Sequence, residues 1–418
     1  MSFLRNVSWV GSGTIISIGI SIVSVPIILK QYSTVDVSHF LFLWTIVGIV
    51  NLSDCGVSRG VSRFVSGGKD VISILKHGYA YLFFVFSMLI FVYLLFSRLY
   101  GGEYLNAMPD FVRLLAISIV LISFITFPLS GYIEGVGGFK ESSIAKNICN
   151  MITYGMPVLL AAHQMNIAYV LCFSVLLSRF TLLIILLYLT VKSNRYSKKK
   201  NPIKLTSALT AKDFYSYCFS IGVASLLGIA FLYWDRLLAL NCFSGSVLVH
   251  YVAFSEIVIK SYAIPGVLAG VIFQYFSAGS FKNIHTKLVK YLNIKVYISL
   301  SILTSTLFVC FMYFFNDVIF SKLIQTEISN RLKLIFYIVS FFTALNCFTM
   351  IVMTIGQALG NHKKILTIQI ITLPIFSLIS FSLIKFQFIE IGFFVWFMRI
   401  PTMLVSILYL NDKKLGET

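Results

Sequence analysis

Twelve times along the chain a predominantly apolar run of about 17–25 residues, long enough to cross roughly 30 Å of hydrocarbon as an α-helix, is followed by a short polar stretch. The runs start near Trp9, His39, Gly78, Phe111, Ile144, Ile167, Phe214, Val247, Ile294, Leu334, Ile365 and Ile391. That pattern predicts an all-α integral membrane protein. Of the 418 residues, 58% are hydrophobic and 11% charged, against about 25% charged in a soluble domain. The net charge of +18 then follows from retention of Lys and Arg on the cytoplasmic side, and nucleic acid is not needed to explain it.

Orientation comes from the same bias. With both termini in the cytoplasm, most of the 33 Lys and Arg fall in cytoplasmic segments. The first apolar run exceeds a typical signal-peptide core, so it reads as a retained span. The largest basic cluster, "VKSNRYSKKKNPIK" (191–204), reads as a solvated linker between two six-helix lobes, with lipid-headgroup binding as the alternative. The expected organisation is a lobe at 1–190, a linker at 191–213 and a lobe at 214–418. The seven cysteines are scattered singly, without metal-ligand spacing, and read as packing residues.

The halves resemble one another. Setting residue n against n + 211 pairs "RFVSGG" (63–68) with "QYFSAG" (274–279), Tyr32-Ser33 with Phe243-Ser244, and His39-Phe40 with His250-Tyr251. A slightly larger offset pairs "YIEGVGGFK" (132–140) with "IGQALGNHK" (355–363). Because six is even, a duplicated six-helix unit keeps its orientation, and the expected pseudo-two-fold axis runs along the membrane normal. Pro26, Pro128, Pro157, Pro265, Pro374 and Pro401 lie in or at spans, as hinges or as static kinks.

The residues that a membrane should exclude are the informative ones. Arg179 falls in the sixth span, Asp235 and Arg236 in the seventh, Glu256 and Lys260 in the eighth, and Arg399 in the twelfth. An ionised side chain at mid-bilayer costs about 2.5–3.5 kcal/mol on insertion scales, so each should face a watery cavity or a partner. Glu256 and Lys260, four apart, are able to neutralise each other. Asp235 and Arg236 are adjacent, point about 100° apart on a helix, and need other partners. The four basic groups outnumber the two carboxylates, a balance that favours an anionic cargo such as phosphate, onto which Arg can fork. The second span ends in "LSDCGVSRGVSRFVSGGKD" (52–70), with Arg59 and Arg63 one turn apart. They serve either as a topology anchor or as a basic patch that receives a phosphorylated head from the cytoplasm.

The sequence carries no GxxxxGK[ST] run, no HExxH and no recognisable nucleophile–base set, so no catalytic residue, metal or cofactor is assigned. The twelve spans in two halves, "LSDCGVSRGVSRFVS", "WDRLLAL" (234–240) and "GQALGNHKK" (356–364) resemble the polysaccharide-exporter branch of the multidrug/oligosaccharidyl-lipid/polysaccharide transporter superfamily. The nearest likeness is to Wzx-type O-antigen flippases. The resemblance implies two lobes around a cavity and ATP-independent transfer of undecaprenyl-pyrophosphate-linked oligosaccharide from the cytoplasmic to the periplasmic leaflet of a bacterial inner membrane. Its expected partners are that glycan, membrane lipid and other polysaccharide-assembly proteins. Carried over by position, Asp54, Gly56, Arg59 and Arg63 form the second-span motif and Asp235 and Arg236 the seventh-span motif. Cys55 departs from the bulkier apolar residue expected there.

On that reading Arg179, Arg236, Lys260 and Arg399 line a cationic cavity, while Asp235, Glu256 and Asp54 are the candidates for ion coupling. The alternatives are a sodium- or proton-coupled multidrug exporter of the same superfamily, a lipid II flippase and, from another class, a membrane glycan polymerase or ligase. The short periplasmic loops argue against the last.

Overall fold

The computed structural model describes residues 3–32, 36, 37, 39, 40, 43, 46, 47, 50, 54–100, 109–162, 170–200, 210–243, 247, 251, 255, 258, 262–277, 294–314 and 330–415. Among these, thirteen α-helices and one π-helical turn are present and no strand. Two compact units divide the chain, Met1–Ser225 and Leu226–Thr418.

The first unit holds α1 (Phe3–Gln31), α2 (Val57–Ser66), α3 (Val71–Tyr100), α4 (Asp110–Gly135) and α5 (Phe139–Asn150). From α5 the chain passes through the π-helical turn Met151–Gly155 into α6 (Met156–Ala162), and α7 (Val170–Lys200) follows. Helix α8 (Ala211–Cys242) begins in the first unit and ends in the second. The second unit then contains α9 (Ala263–Ser277), α10 (Ile294–Phe314), α11 (Asn330–Ala358), α12 (His362–Lys385) and α13 (Ile389–Leu415). Ten of the twelve apolar runs coincide with these helices, while the runs starting near His39 and Val247 lie largely outside the described residues. Seven helices among the described residues are long and apolar enough to cross a membrane unaided.

The helices are amphipathic in the sense a bilayer demands. Helix α12 buries Gln369, Thr372, Ser377 and Ser380 and exposes Ile370, Ile371, Ile375, Leu378 and Ile379. In water that arrangement would be unstable; against lipid tails it places small polar groups where neighbouring helices can bond them.

The duplication seen in the sequence recurs inside each unit. In the first, α2 packs on α4, α3 on α4, α4 on α7 and α5 on α7; in the second, α9 packs on α11, α10 on α11, α11 on α13 and α12 on α13. The two aligned loops end their helices bond for bond. After α4, the Gly137 and Gly138 amides donate to the Glu134 and Ile133 carbonyls at 3.0 and 2.8 Å; after α11, those of Gly360 and Asn361 donate to Gln357 and Gly356 at 3.1 and 2.8 Å. Gly137 and Gly360 sit at φ 85° and 90°, the left-handed position that closes a Schellman cap.

Two spans differ from the continuous helices expected. The second is broken: Cys55 and Gly56 take φ values of 52° and 75°, and α2 restarts as a separate ten-residue helix. The fifth widens into the π-turn, a form found mostly as single-turn bulges inside α-helices and frequently at functional sites. The sixth-span helix also runs on to Lys200, and residues 201–209 of the basic linker lie outside the described residues.

Candidate functional site

Helix α2 is shaped by its small residues. Added Cβ atoms on Gly131 and Gly135 of α4 would collide with the Ser58 carbonyl and with Ser62, so a Gly-x3-Gly stripe lies on a Ser-x3-Ser stripe. On another face, a Cβ on Gly56 would lie 2.5 Å from the Cys218 carbonyl oxygen, and one on Gly60 2.5 Å from Cys218 Sγ, both on α8. Val57 and Val61 meet Gly78 of α3. Helical geometry leaves one remaining face, which carries Arg59, Arg63 and Ser66.

The three motif side chains therefore have distinct environments. The Asp54 carboxylate accepts the Gly56 amide at 2.9 Å, its carbonyl accepts the Val57 amide at 3.1 Å, and the Arg59 charge is nearby. Its carboxylate thus closes the turn that starts α2, in the manner of an Asx turn. The guanidinium of Arg63 stacks over the Tyr217 ring at 4.5 Å. Cys55 is held with its backbone against Gly222, where a Cβ would approach the Cys55 carbonyl group to 2.8–2.9 Å. That place constrains the backbone more than the side chain.

A second polar cluster lies in the second unit. Asp235 is 4% exposed; its Oδ2 accepts the Tyr251 hydroxyl at 2.6 Å and the Ser255 hydroxyl at 3.2 Å. Its Oδ1 has no hydrogen-bond partner among the described residues. Arg236 and Arg399 lie within electrostatic range. Arg399, also 4% exposed, donates from Nη1 to the Trp396 carbonyl and from Nη2 to the Phe231 carbonyl, each at 2.8 Å. Its guanidinium stacks 3.7 Å over Trp396 and 5.0 Å over Phe231. Asp235, Arg236 and Arg399 thus come together, while Glu256 and Lys260, with His250, lie outside the described residues.

Arg179 is a member of the first unit. On α7 it is 8% exposed and faces Cys149 and Tyr154, on either side of the start of the π-turn. Ser174, one turn earlier, donates to the Thr153 carbonyl at 3.1 Å, and the Tyr32 hydroxyl donates to the Pro157 carbonyl at 2.8 Å. The Thr153 carbonyl of the irregular turn is therefore bonded from α7, and the start of α6 is tied to the residue that follows α1. Sequence reasoning did not single out Tyr251, Ser255, Trp396, Phe231 or Tyr217 as partners. Tyr251 entered only through the repeat alignment, and nothing in the local sequence marks the others.

No protein-family model and no curated protein sequence matches the chain. Solved structures do. A MATE transporter in its bent conformation aligns with a TM-score of 0.73 at 13% identity, over 100% of this chain and 97% of that one. A mutant of the Vibrio cholerae MATE transporter VcmN aligns at 0.71 and 14%, over 100% and 97%. A MOP-superfamily transporter from Pyrococcus furiosus, described as having a binding pocket of reverse polarity, aligns at 0.68 and 14%, over 100% and 96%. The chain is a multi-pass membrane protein with the fold of the MATE transporters.

Proposed function

We propose that the chain is a transporter that moves an undecaprenyl-pyrophosphate-linked oligosaccharide across a bacterial inner membrane by alternating access, with both termini cytoplasmic. The observation that carries this reading is the charge balance inside the spans. Among the described residues Arg179 and Arg399 are buried against the single buried carboxylate of Asp235, with Arg236 half-buried. A positive interior attracts phosphate and repels organic cations, and without such a lining the desolvation of a pyrophosphate and a polar glycan would be prohibitive. A binding pocket of reverse polarity, as described for the Pyrococcus furiosus transporter, is a precedent on this fold. Arg179, Arg236 and Lys260 are the proposed contacts to the cargo and Arg399 adds its charge to the interior without touching it; Arg59 and Arg63 are the proposed landing patch, and Asp235 and Glu256 are the coupling candidates. Asp54 is a weaker coupling candidate, since its carboxylate is engaged in the turn that starts α2.

The test is a deletion strain. Loss of the transporter should leave lipid-linked repeat units on the cytoplasmic leaflet and abolish surface polysaccharide; unchanged surface polysaccharide would sink the proposal. The MATE fold supports a second reading, a sodium- or proton-coupled exporter of small molecules. Drug sensitivity of the same strain, with normal polysaccharide, would favour it.

A further inference from the structure

The last apolar span of each half carries one buried arginine at the same turn. Helices α7 and α13 match in burial at an offset of 221: Phe173 and Phe394 are exposed, Val175 and Trp396 buried, Ile184 and Val405 exposed, Leu186 and Ile407 buried. In that register Arg399 falls opposite Ser178, and Arg179 one residue further on.

Their surroundings are opposite in kind. Arg399 is held on every side, by two carbonyls, the Trp396 and Phe231 rings, and the Asp235 charge. The first unit has replaced those holders. Val175 stands at the place of Trp396, and at the 211 offset Ser24 of α1 stands at the place of Asp235 and Ile20 at that of Phe231. Arg179 is nonetheless buried to nearly the same extent, and no hydrogen bond joins its guanidinium to another described residue, with Nε wholly buried and unsatisfied. A guanidinium carries five N–H donors and cannot shed its charge. Burying it without a partner is among the most unfavourable arrangements a side chain can adopt.

We infer that Arg179, where α7 meets the π-turn Met151–Gly155, is an oxyanion-binding site that takes a phosphoryl group, and that Arg399 is a structural clamp that meets no cargo. The inference deepens the transport reading and rests on it for the identity of the cargo, but the site itself is argued from the first unit alone. A forked guanidinium donates to two phosphate oxygens at once, and a site with no counter-charge among the described residues leaves the anion as the partner that completes it. The π-turn suits such a place, because its loosened carbonyl at Thr153 is already taken by Ser174 and does not compete for the arginine.

The test uses the full chain in nanodiscs of phosphatidylcholine. Without ligand, Arg179→Gln should unfold at the same or a higher temperature than the unsubstituted protein, because it removes an unpaired buried charge, whereas Arg399→Gln should unfold lower. Inorganic pyrophosphate should protect the unsubstituted protein and Arg399→Lys. Protection should weaken at least about tenfold in Arg179→Gln and less in Arg179→Lys, which keeps charge but loses the fork. Protection by phosphatidylglycerol in the disc and not by pyrophosphate, lost in Arg179→Gln, would assign the same site to a lipid headgroup. Equal protection of Arg179→Gln, protection by neither ligand, or destabilisation by Arg179→Gln matching that of Arg399→Gln would overturn the inference. Pyrophosphate binding that depends on Arg179, in a protein whose deletion leaves polysaccharide unchanged, would retain the site and refute the cargo. Wild-type polysaccharide output from Arg179→Gln, in a strain that needs the transporter, would refute the site and retain the cargo.

Discussion

Gly56 is the position where one methyl group should do most damage. Its φ of 75° is open to alanine only at about 1–2 kcal/mol. The added Cβ would lie 2.5 Å from the Cys218 carbonyl oxygen, 2.8 Å from Ile221 Cβ and 2.9 Å from the Gly222 amide nitrogen. Two of those three atoms are backbone and cannot rotate away, so α8 must move off α2, at a further cost of about 1–3 kcal/mol typical of overpacking. Gly56→Ala should therefore lose about 2–5 kcal/mol. That motion also pulls Tyr217 from beneath Arg63. Gly19→Ala is the matched control: Gly19 is exposed in mid-helix with nothing within 4 Å of a built Cβ, and alanine there should gain about 0.5–1 kcal/mol. Thermal unfolding of both variants in the same detergent, with intrinsic fluorescence as the readout, makes the comparison. If G56A unfolds within error of G19A, the close approach of α2 to α8 is not as described and the reasoning fails.

Three further outcomes follow from the packing. Tyr251→Phe removes a 2.6 Å bond to the buried Asp235 carboxylate and should cost about 1.5–3 kcal/mol; a loss below about 0.5 kcal/mol in the same assay would mean the carboxylate is satisfied otherwise. Gly131→Leu wedges α4 away from Ser58 and should lower the yield of monodisperse protein on size exclusion, whereas Gly270→Leu, which meets nothing within 4 Å, should leave it unchanged. Replacing Arg59 and Arg63 together by lysine preserves the charge that fixes topology but not the fork. Cysteine-accessibility mapping should show unchanged orientation while surface polysaccharide falls, and full output from the double variant would make the pair a topology anchor alone.

The twelve spans were legible because crossing a bilayer is decided by the length and apolarity of one local segment, as at Asp110–Gly135 or Ile389–Leu410. The duplication was legible because a Schellman cap depends on a few adjacent residues, so "EGVGG" (134–138) and "QALGN" (357–361) keep the same geometry while sharing only the glycine at 137 and 360. The break at Asp54–Gly56 was partly written in its Asp and Gly, yet those residues also suit the end of a helix. Only the approach of Gly222 and Cys218 determines that the chain bends there and continues.

Arg179 and Arg399 draw the sharpest line between the two levels. In sequence they look alike, each a lone arginine in the last span of its half, and Trp396, where the first half has Val175, is the one local difference that bears on them. The second unit supplies a ring, two carbonyls and a carboxylate from residues 3 to 168 positions away, and at the matching places the first unit has Val175 for the ring and Ser24 for the carboxylate. Sequence determined that this chain crosses a membrane twelve times in two like halves, because that rests on local apolarity and caps. Tertiary structure decided which buried charge is satisfied and which is left for a ligand, because a charge is neutralised by whatever neighbouring helices bring to it.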